Sequence, residues 1–413
     1  MPGWILLGLA ALLVAWLTFT PSGRQTRSVI RIGIATIPQR LGSSAVVVVG
    51  IAGVVGVLVA LLAMGAGFEQ ILKQTGADDT VIVLHSGAES EATSTLDNDT
   101  VGIISQAPQV LRGADGQPVV SGEQLIVASL PTRSTGLEAS IALRGVGESA
   151  WILSRNLRFI EGRKFRPGLR ELIVGKSTRD EFVGLRVGST VSFDGQSWPI
   201  VGVFDSGDAH NSEIWGDAQV IGSTYRRNGM VNSVMLRLTD ASAIDALKAG
   251  IESDPRLKVS VQTTREYYSR QSESIAQIVG IVGTTIGAIM ALGAVFGALN
   301  TTYAAVADRA REIATLRAIG FRTGPVILSV LLETMLLAVL GGAVGAGLTW
   351  LIFDGFTAST VGANSSQVVF AFDVSRELLV SGLKWALAIG LIGGLLPALR
   401  AARMPIIAGL REL

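Results

Sequence analysis

The chain has 413 residues, 49% hydrophobic and 16% charged, with a mean hydropathy of +0.49. Soluble domains carry charge on about a quarter of their residues, so this composition excludes an ordinary soluble enzyme and points to a membrane protein with one sizeable soluble insert. A net charge of +1 gives no field for a nucleic-acid partner, the absence of cysteine excludes disulfides and thiolate metal sites, and His85 and His210 alone make no multi-histidine metal site.

Residues 3–19, GWILLGLAALLVAWLTF, are uncharged and just long enough to cross a bilayer. No charge precedes them and Arg24, Arg27, Arg31 and Arg40 follow, so residues 1–22 read as an extra N-terminal transmembrane helix, starting outside, rather than a signal peptide. Residues 23–42 form a cytoplasmic amphipathic segment. Within 26–40, Ile30, Ile34 and Ile37 recur at helical spacing with Arg27 and Arg31 on another side, which suits a helix along the inner leaflet; a basic connector is the alternative. Residues 43–67 form the second span.

Charges return over 68–273, where short β-type runs alternate with turn signals. Thr80–Leu84, Gln124–Ser129, Glu171–Val174, Thr190–Phe193 and Pro199–Phe204 read as strands, the last two joined by Asp194-Gly195. Asn98–Ala107 and Ala241–Ser253 read as helices. The expected fold is a membrane α-helical protein of about five transmembrane helices, with a large extracytoplasmic α/β domain inserted between the second and third spans.

Residues 274–300, 325–353 and 378–399 supply three further spans, with a short outer loop over 354–377. Arg400, Arg403 and Arg411 hold the C-terminus inside. Between the third and fourth spans lies Asp308–Gly320, DRAREIATLRAIG. Ala310, Ile313, Ala314 and Leu316 give an apolar side at helical spacing, Arg309, Arg311, Glu312 and Arg317 occupy the rest, and Gly320 is placed to end the helix. A polar loop is the plain alternative; a short helix tied to two spans can instead pass a push from a soluble partner into the membrane.

Glu333 lies ~12 Å along its helix from Pro325, close enough to the inner surface to meet Arg317 or Arg322. An ion pair of Glu333 with Arg322, bracing the 308–320 helix, is expected rather than a transport site. Gly175-Lys176-Ser177 lacks the earlier glycine of a phosphate-binding loop and reads as a strand-end turn. His210 with Asp205 and Asp208, or His85 with Ser86, forms no recognisable nucleophile or metal spacing.

Three motifs then occur in order: Glu312 to Gly320, EIATLRAIG; Leu331-Leu332-Glu333 followed by Gly341-Gly342; and Leu396 to Pro405, LPALRAARMP. Together they resemble the MacB/FtsX-type permeases, the type VII membrane subunits of ABC transporters. The resemblance is specific over 274–413 and looser over 26–273, and the 3–19 helix departs from that family's four-helix plan.

The resemblance implies a MacB-like periplasmic core domain over 68–273, with a porter-like part from both ends of the segment and an inserted strand-rich part at about 140–222. It implies an FtsX-like permease domain over 274–413 with its coupling helix at 308–320. Arg309, Glu312, Ile313, Leu316, Arg317 and Gly320 are then the ATPase-coupling residues, with Ile313 and Leu316 filling an apolar groove on the partner. The chain would be a non-catalytic subunit with no cofactor or metal of its own, ATP and Mg being used by a separate cytoplasmic ABC ATPase. Further implied partners are a second permease copy or close paralogue, membrane lipids, and a periplasmic adaptor with an outer-membrane channel, all at a bacterial inner membrane. The implied function is mechanotransmission that exports or extracts a lipoprotein, lipid, peptide or amphiphilic drug. The alternative is an FtsX-like signalling component that activates a periplasmic cell-wall hydrolase without transport; a membrane-anchored sensor or enzyme is a third.

Overall fold

The computed structural model describes residues 41–405. The expected span over 3–19, the segment over 26–40 and Arg411 lie outside the described residues. The chain divides into an α/β unit, Gly65–Gln277 with Thr357–Phe372, and a helical unit made of the remainder.

In chain order, α1 (Leu41–Thr75) precedes β1 (Thr80–His85), β2 (Leu96–Asp97), α2 (Asn98–Ser105), β3 (Val120–Pro131) and β4 (Glu138–Val146). Next come α3 (Ala150–Leu153), β5 (Arg158–Gly162), β6 (Leu172–Gly175), α4 (Lys176–Glu181), β7 (Thr190–Phe193), β8 (Gln196–Asp205) and β9 (Glu213–Asp217). Then α5 (Ala218–Thr224), β10 (Met230–Val231), β11 (Ser233–Arg237), α6 (Ile244–Glu252) and β12 (Val259–Thr263) complete the main part of the α/β unit. The chain ends with α7 (Thr264–Asp308), α8 (Ala310–Ala318), α9 (Thr323–Phe353), β13 (Thr357–Val361), β14 (Gln367–Ala371) and α10 (Arg376–Arg403).

The sheet of the α/β unit runs β12-β1-β11-β3-β4-β9-β6-β8-β5, with β7 paired to β8. Asp194 and Gly195 both take positive φ, 48° and 70°, as a two-residue hairpin turn between β7 and β8 requires. Strand β3 changes partner midway: Val120–Glu123 pair with β11, and Gln124–Pro131 with β4. The sheet therefore has two halves, each with its own core. One buries Val81, Ile104, Val234, Leu247 and Val261 beneath α2 and α6. The other buries Leu143, Val174, Phe182, Trp198 and Ile214.

Residues 354–377, expected to be a short outer loop, instead carry the β13–β14 hairpin, which packs within the α/β unit. Val369 donates its N–H to Ser212 Oγ at 2.9 Å, and Phe370 sits edge-on to Phe68 with centroids 5.5 Å apart. Gly67 makes room for it, because a Cβ there would lie 2.0 Å from the Ala371 carbonyl oxygen.

Among the described residues, four helices are long and apolar enough to cross a membrane: Ser44–Thr75, Thr264–Asp308, Thr323–Phe353 and Arg376–Arg403. With a large mixed α/β domain, this is the architecture of a multi-pass membrane protein. Helix α7 starts at Thr264, ten residues before the span expected from 274. Close approach sets the packing in the helical unit. A Cβ on Gly345 would lie 2.4 Å from the Ala52 carbonyl oxygen, and one on Gly394 would lie 2.1 Å from Thr334 Oγ1. Gly341/Gly345 thus seat α9 on α1, and Gly390/Gly394 seat α10 on α9, whereas Gly293 and Gly297 have open space before them.

Candidate functional site

Helix α8 breaks from α7 at Arg309, whose φ of −101° and ψ of 9° leave the helical region. Its far end closes on Gly320, at φ +103°. The Gly320 N–H donates to the Arg317 carbonyl and the Phe321 N–H to the Leu316 carbonyl, both at 3.1 Å. This double bond is the Schellman closure, which needs a residue able to enter the left-handed region.

The inner face of α8 is anchored to its own unit. Ala310, Ile313 and Ala314 are buried, and Ile313 joins Val306, Val326 and Ala401 in an apolar cluster. Arg309 reaches Glu333 with two donors, Nη1 to Oε2 at 2.8 Å and Nη2 to Oε1 at 3.2 Å, the two side chains being 13% and 16% exposed. Arg317 donates through Nη1 to the Met404 carbonyl. The outer face presents Arg311, Glu312, Thr315 and Ala318, together with Ile319, which is 70% exposed.

Two expectations are corrected. The partner of Glu333 is Arg309, not Arg322. Arg322 is the exposed residue preceding α9, and eleven residues along one helix separate it from Glu333 by ~16 Å. Ile313, expected on the surface offered to a partner, belongs to the chain's own cluster, as Arg309 belongs to the ion pair. Of the six expected coupling residues, Glu312 and Gly320 are exposed and Leu316 and Arg317 are half-buried. Arg311 and Ile319, outside that set of six, are exposed as well.

A second constellation, unseen in the sequence, lies in the α/β unit. Arg144 in β4 is 2% exposed and meets three glutamates. Its Nε and Nη2 donate to the two oxygens of Glu213, each at 2.8 Å. Its Nη1 donates to Glu91 Oε2 at 2.5 Å and to Glu123 Oε2 at 2.9 Å. Trp215 Nε1 donates to Glu213 at 2.7 Å, and His210 Nδ1 faces the same oxygen at 3.2 Å. Glu91 donates its backbone N–H to the Tyr267 hydroxyl at 3.2 Å, and the His210 ring lies edge-on to Tyr268, so the first turns of α7 rest on the network.

Burial opposes the imidazolium of His210, but Glu213 and Asp208 outweigh it and push its pKa up to about 9. Burial would raise Glu213 too, yet Arg144 and His210 hold it far below the usual carboxylate range. Burial wins at Glu123, raising its pKa against the pull of Arg144. The only local sign in the sequence was a charge set inside an apolar strand, as in IALRGV around Arg144. His210 is thus an ion-pair partner of Glu213. Gly175 ends β6 as a close-approach glycine, since a Cβ would lie 2.2 Å from the Asn211 carbonyl oxygen.

The stretches that hold the two constellations each match a known family. The model of the MacB-like periplasmic core domain matches residues 44–254, and that of the FtsX-like permease C-terminal matches residues 284–406.

The chain belongs to the MacB/FtsX-type ABC transporter permeases.

Among relatives of this permease, the macrolide export ATP-binding/permease protein MacB of Neisseria meningitidis is 26% identical over 387 residues, covering 87% of this chain and 56% of that protein. The ABC transporter permease YknZ of Bacillus subtilis is 24% identical over 414 residues, covering 92% of this chain and 98% of that one. The chain thus spans about half the length of the MacB relatives and nearly all of YknZ. The crystal structure of the periplasmic region of MacB from Actinobacillus actinomycetemcomitans is 13% identical with a TM-score of 0.36, covering 50% of this chain and 94% of that one.

Proposed function

We propose that this permease takes up motion from a separate cytoplasmic ATPase at α8 and relays it through α7 to the α/β unit on the opposite side of the membrane. The observation that carries this is the two-sided construction of α8. Its inner face is tied down by Ile313 and by the Arg309–Glu333 pair, while its outer face offers Arg311, Glu312 and Ile319. A helix held this way moves as one piece with the ends of α7 and α9. Helix α7 supports the relay, running unbroken from beside the Arg144 network at Thr264 to Asp308, one residue before Arg309.

The cargo on this reading is amphiphilic, a lipoprotein, lipid, peptide or drug handled at the outer face. Residues 278–306 of α7 carry no charge, and Glu333, the sole ionisable residue of α9, is engaged by Arg309, so the described spans offer no row of charges for a hydrophilic solute. A second permease copy has the open Gly293/Gly297 side of α7 to pack against.

The test is the rate of ATP hydrolysis by the partner ATPase reconstituted with the permease. Ile319→Asp and Arg311→Glu should each lower the permease-stimulated rate at least tenfold while the permease stays folded. Rates equal to wild type for both variants rule the docking face out.

A further inference from the structure

Beside the Arg144 network the α/β unit holds a partly open cavity of about 300 Å³, lined by Glu123, Arg155, Asp208, His210, Trp215 and Tyr268 among others. Glu123 and Tyr268 are each 5% exposed. Glu123 Oε2 accepts from Arg144 Nη1, but its other oxygen accepts no hydrogen bond among the described residues, and the Tyr268 hydroxyl makes none among them. Two side chains that are nearly buried as residues therefore line the same space with hydrogen-bonding capacity to spare.

The charge census points the same way. Glu91, Glu123, Glu213, Asp208 and Asp79 carry five negative charges against four on Arg144, His210, Arg155 and Arg237. The uncompensated charge falls on Glu123, because Arg144 already holds Glu213 with two donors and Glu91 with its shortest contact.

We propose that this cavity binds a small organic cation, its primary ammonium group held by Glu123 and Tyr268. An ammonium brings three N–H donors to the free Glu123 oxygen and the Tyr268 hydroxyl oxygen. The rings of Trp215 and Tyr268 in the wall add attraction for a cation. A hard divalent metal suits the site less well: calcium takes about six to eight oxygen ligands, and no grouping of three metal-binding side chains occurs among the described residues. An occupant would join Glu123, where β3 changes partners, to Tyr268 in the second turn of α7.

The test is thermal unfolding of the full chain in detergent, titrated with ethylammonium chloride and with sodium chloride at matched ionic strength. Ethylammonium should raise the midpoint saturably, as a ligand of the folded state does, and sodium chloride should not. Glu123→Gln should shift the half-saturating concentration upward at least tenfold, and Tyr268→Phe about threefold. An equal rise with both salts, no rise with ethylammonium, or an unshifted response in Tyr268→Phe overturns the proposal; this last arm decides alone if Glu123→Gln does not fold. ATP hydrolysis does not enter the measurement, so the result is independent of the coupling role of α8.

Discussion

Glu333 is tolerated in an apolar helix because Arg309 supplies two donors in fork geometry, and each charge is desolvated only with its partner present. Removing one partner strands the other, at a cost of about 3 kcal/mol. Glu333→Gln should therefore lower the unfolding midpoint in detergent clearly, while the double variant Arg309→Met with Glu333→Met recovers most of the loss; a double variant no better than the single refutes the pairing. His210 makes a pH prediction. Its folded pKa of about 9 lies above the ordinary 6.5, so its stabilisation is complete below pH 6.5 and is lost as pH rises through 9. The span corresponds to on the order of 3 kcal/mol. The unfolding midpoint should fall between pH 6.5 and pH 9, and His210→Gln should flatten that slope; equal slopes in the two proteins contradict the assignment. The presence of Glu333 as a paired charge was legible from its place eight residues into the span, but its partner was not. Arg322 is nearer in sequence, yet on one rising helix sequence distance becomes axial distance, whereas the break at Arg309 lets that side chain reach α9.

The boundaries of α8 follow from chemistry visible in the sequence, since Gly320 is the residue able to make the left-handed closure. Which side of α8 faces its own unit was only half legible. The apolar stripe marks a buried side without saying whether the chain or a partner buries it, and Ile313 turned out to pack on Val306, Val326 and Ala401. The hairpin over Thr357–Ala371 escaped notice because its apolar run, VVFAF, is short and flanked by spans. Close approach distinguishes the glycines of the helical unit: Gly341, Gly345, Gly390 and Gly394 each meet a neighbouring helix, whereas Gly293 and Gly297 do not. Gly345 is the sharpest test among them: Gly345→Leu must displace the Ala52 backbone, so it should separate α9 from α1 and lower the unfolding midpoint markedly, whereas Gly347→Leu, two residues on and facing open space, should have little effect. Equal effects from the two would show that α1 and α9 do not meet there.

Composition alone announced a membrane protein with a soluble insert, because apolar residues gather in runs of spanning length and charges return together over 68–273. The order of strands in the sheet was beyond reach, since β4 pairs in parallel with β9 and 69 residues separate Arg144 from Glu213. The Arg144 network was hidden for the same reason: its members come from separate elements and meet only in the assembled sheet. Coupling, as proposed, requires that α8 and the α/β unit face opposite sides of the membrane. The chain has no cysteine, so single labels can be placed at Ala318→Cys in α8 and Leu137→Cys in the β3–β4 turn, both exposed positions. In right-side-out vesicles a membrane-impermeant maleimide should label Leu137→Cys at once and Ala318→Cys only after the membrane is opened; labelling of both from the same side would contradict the account.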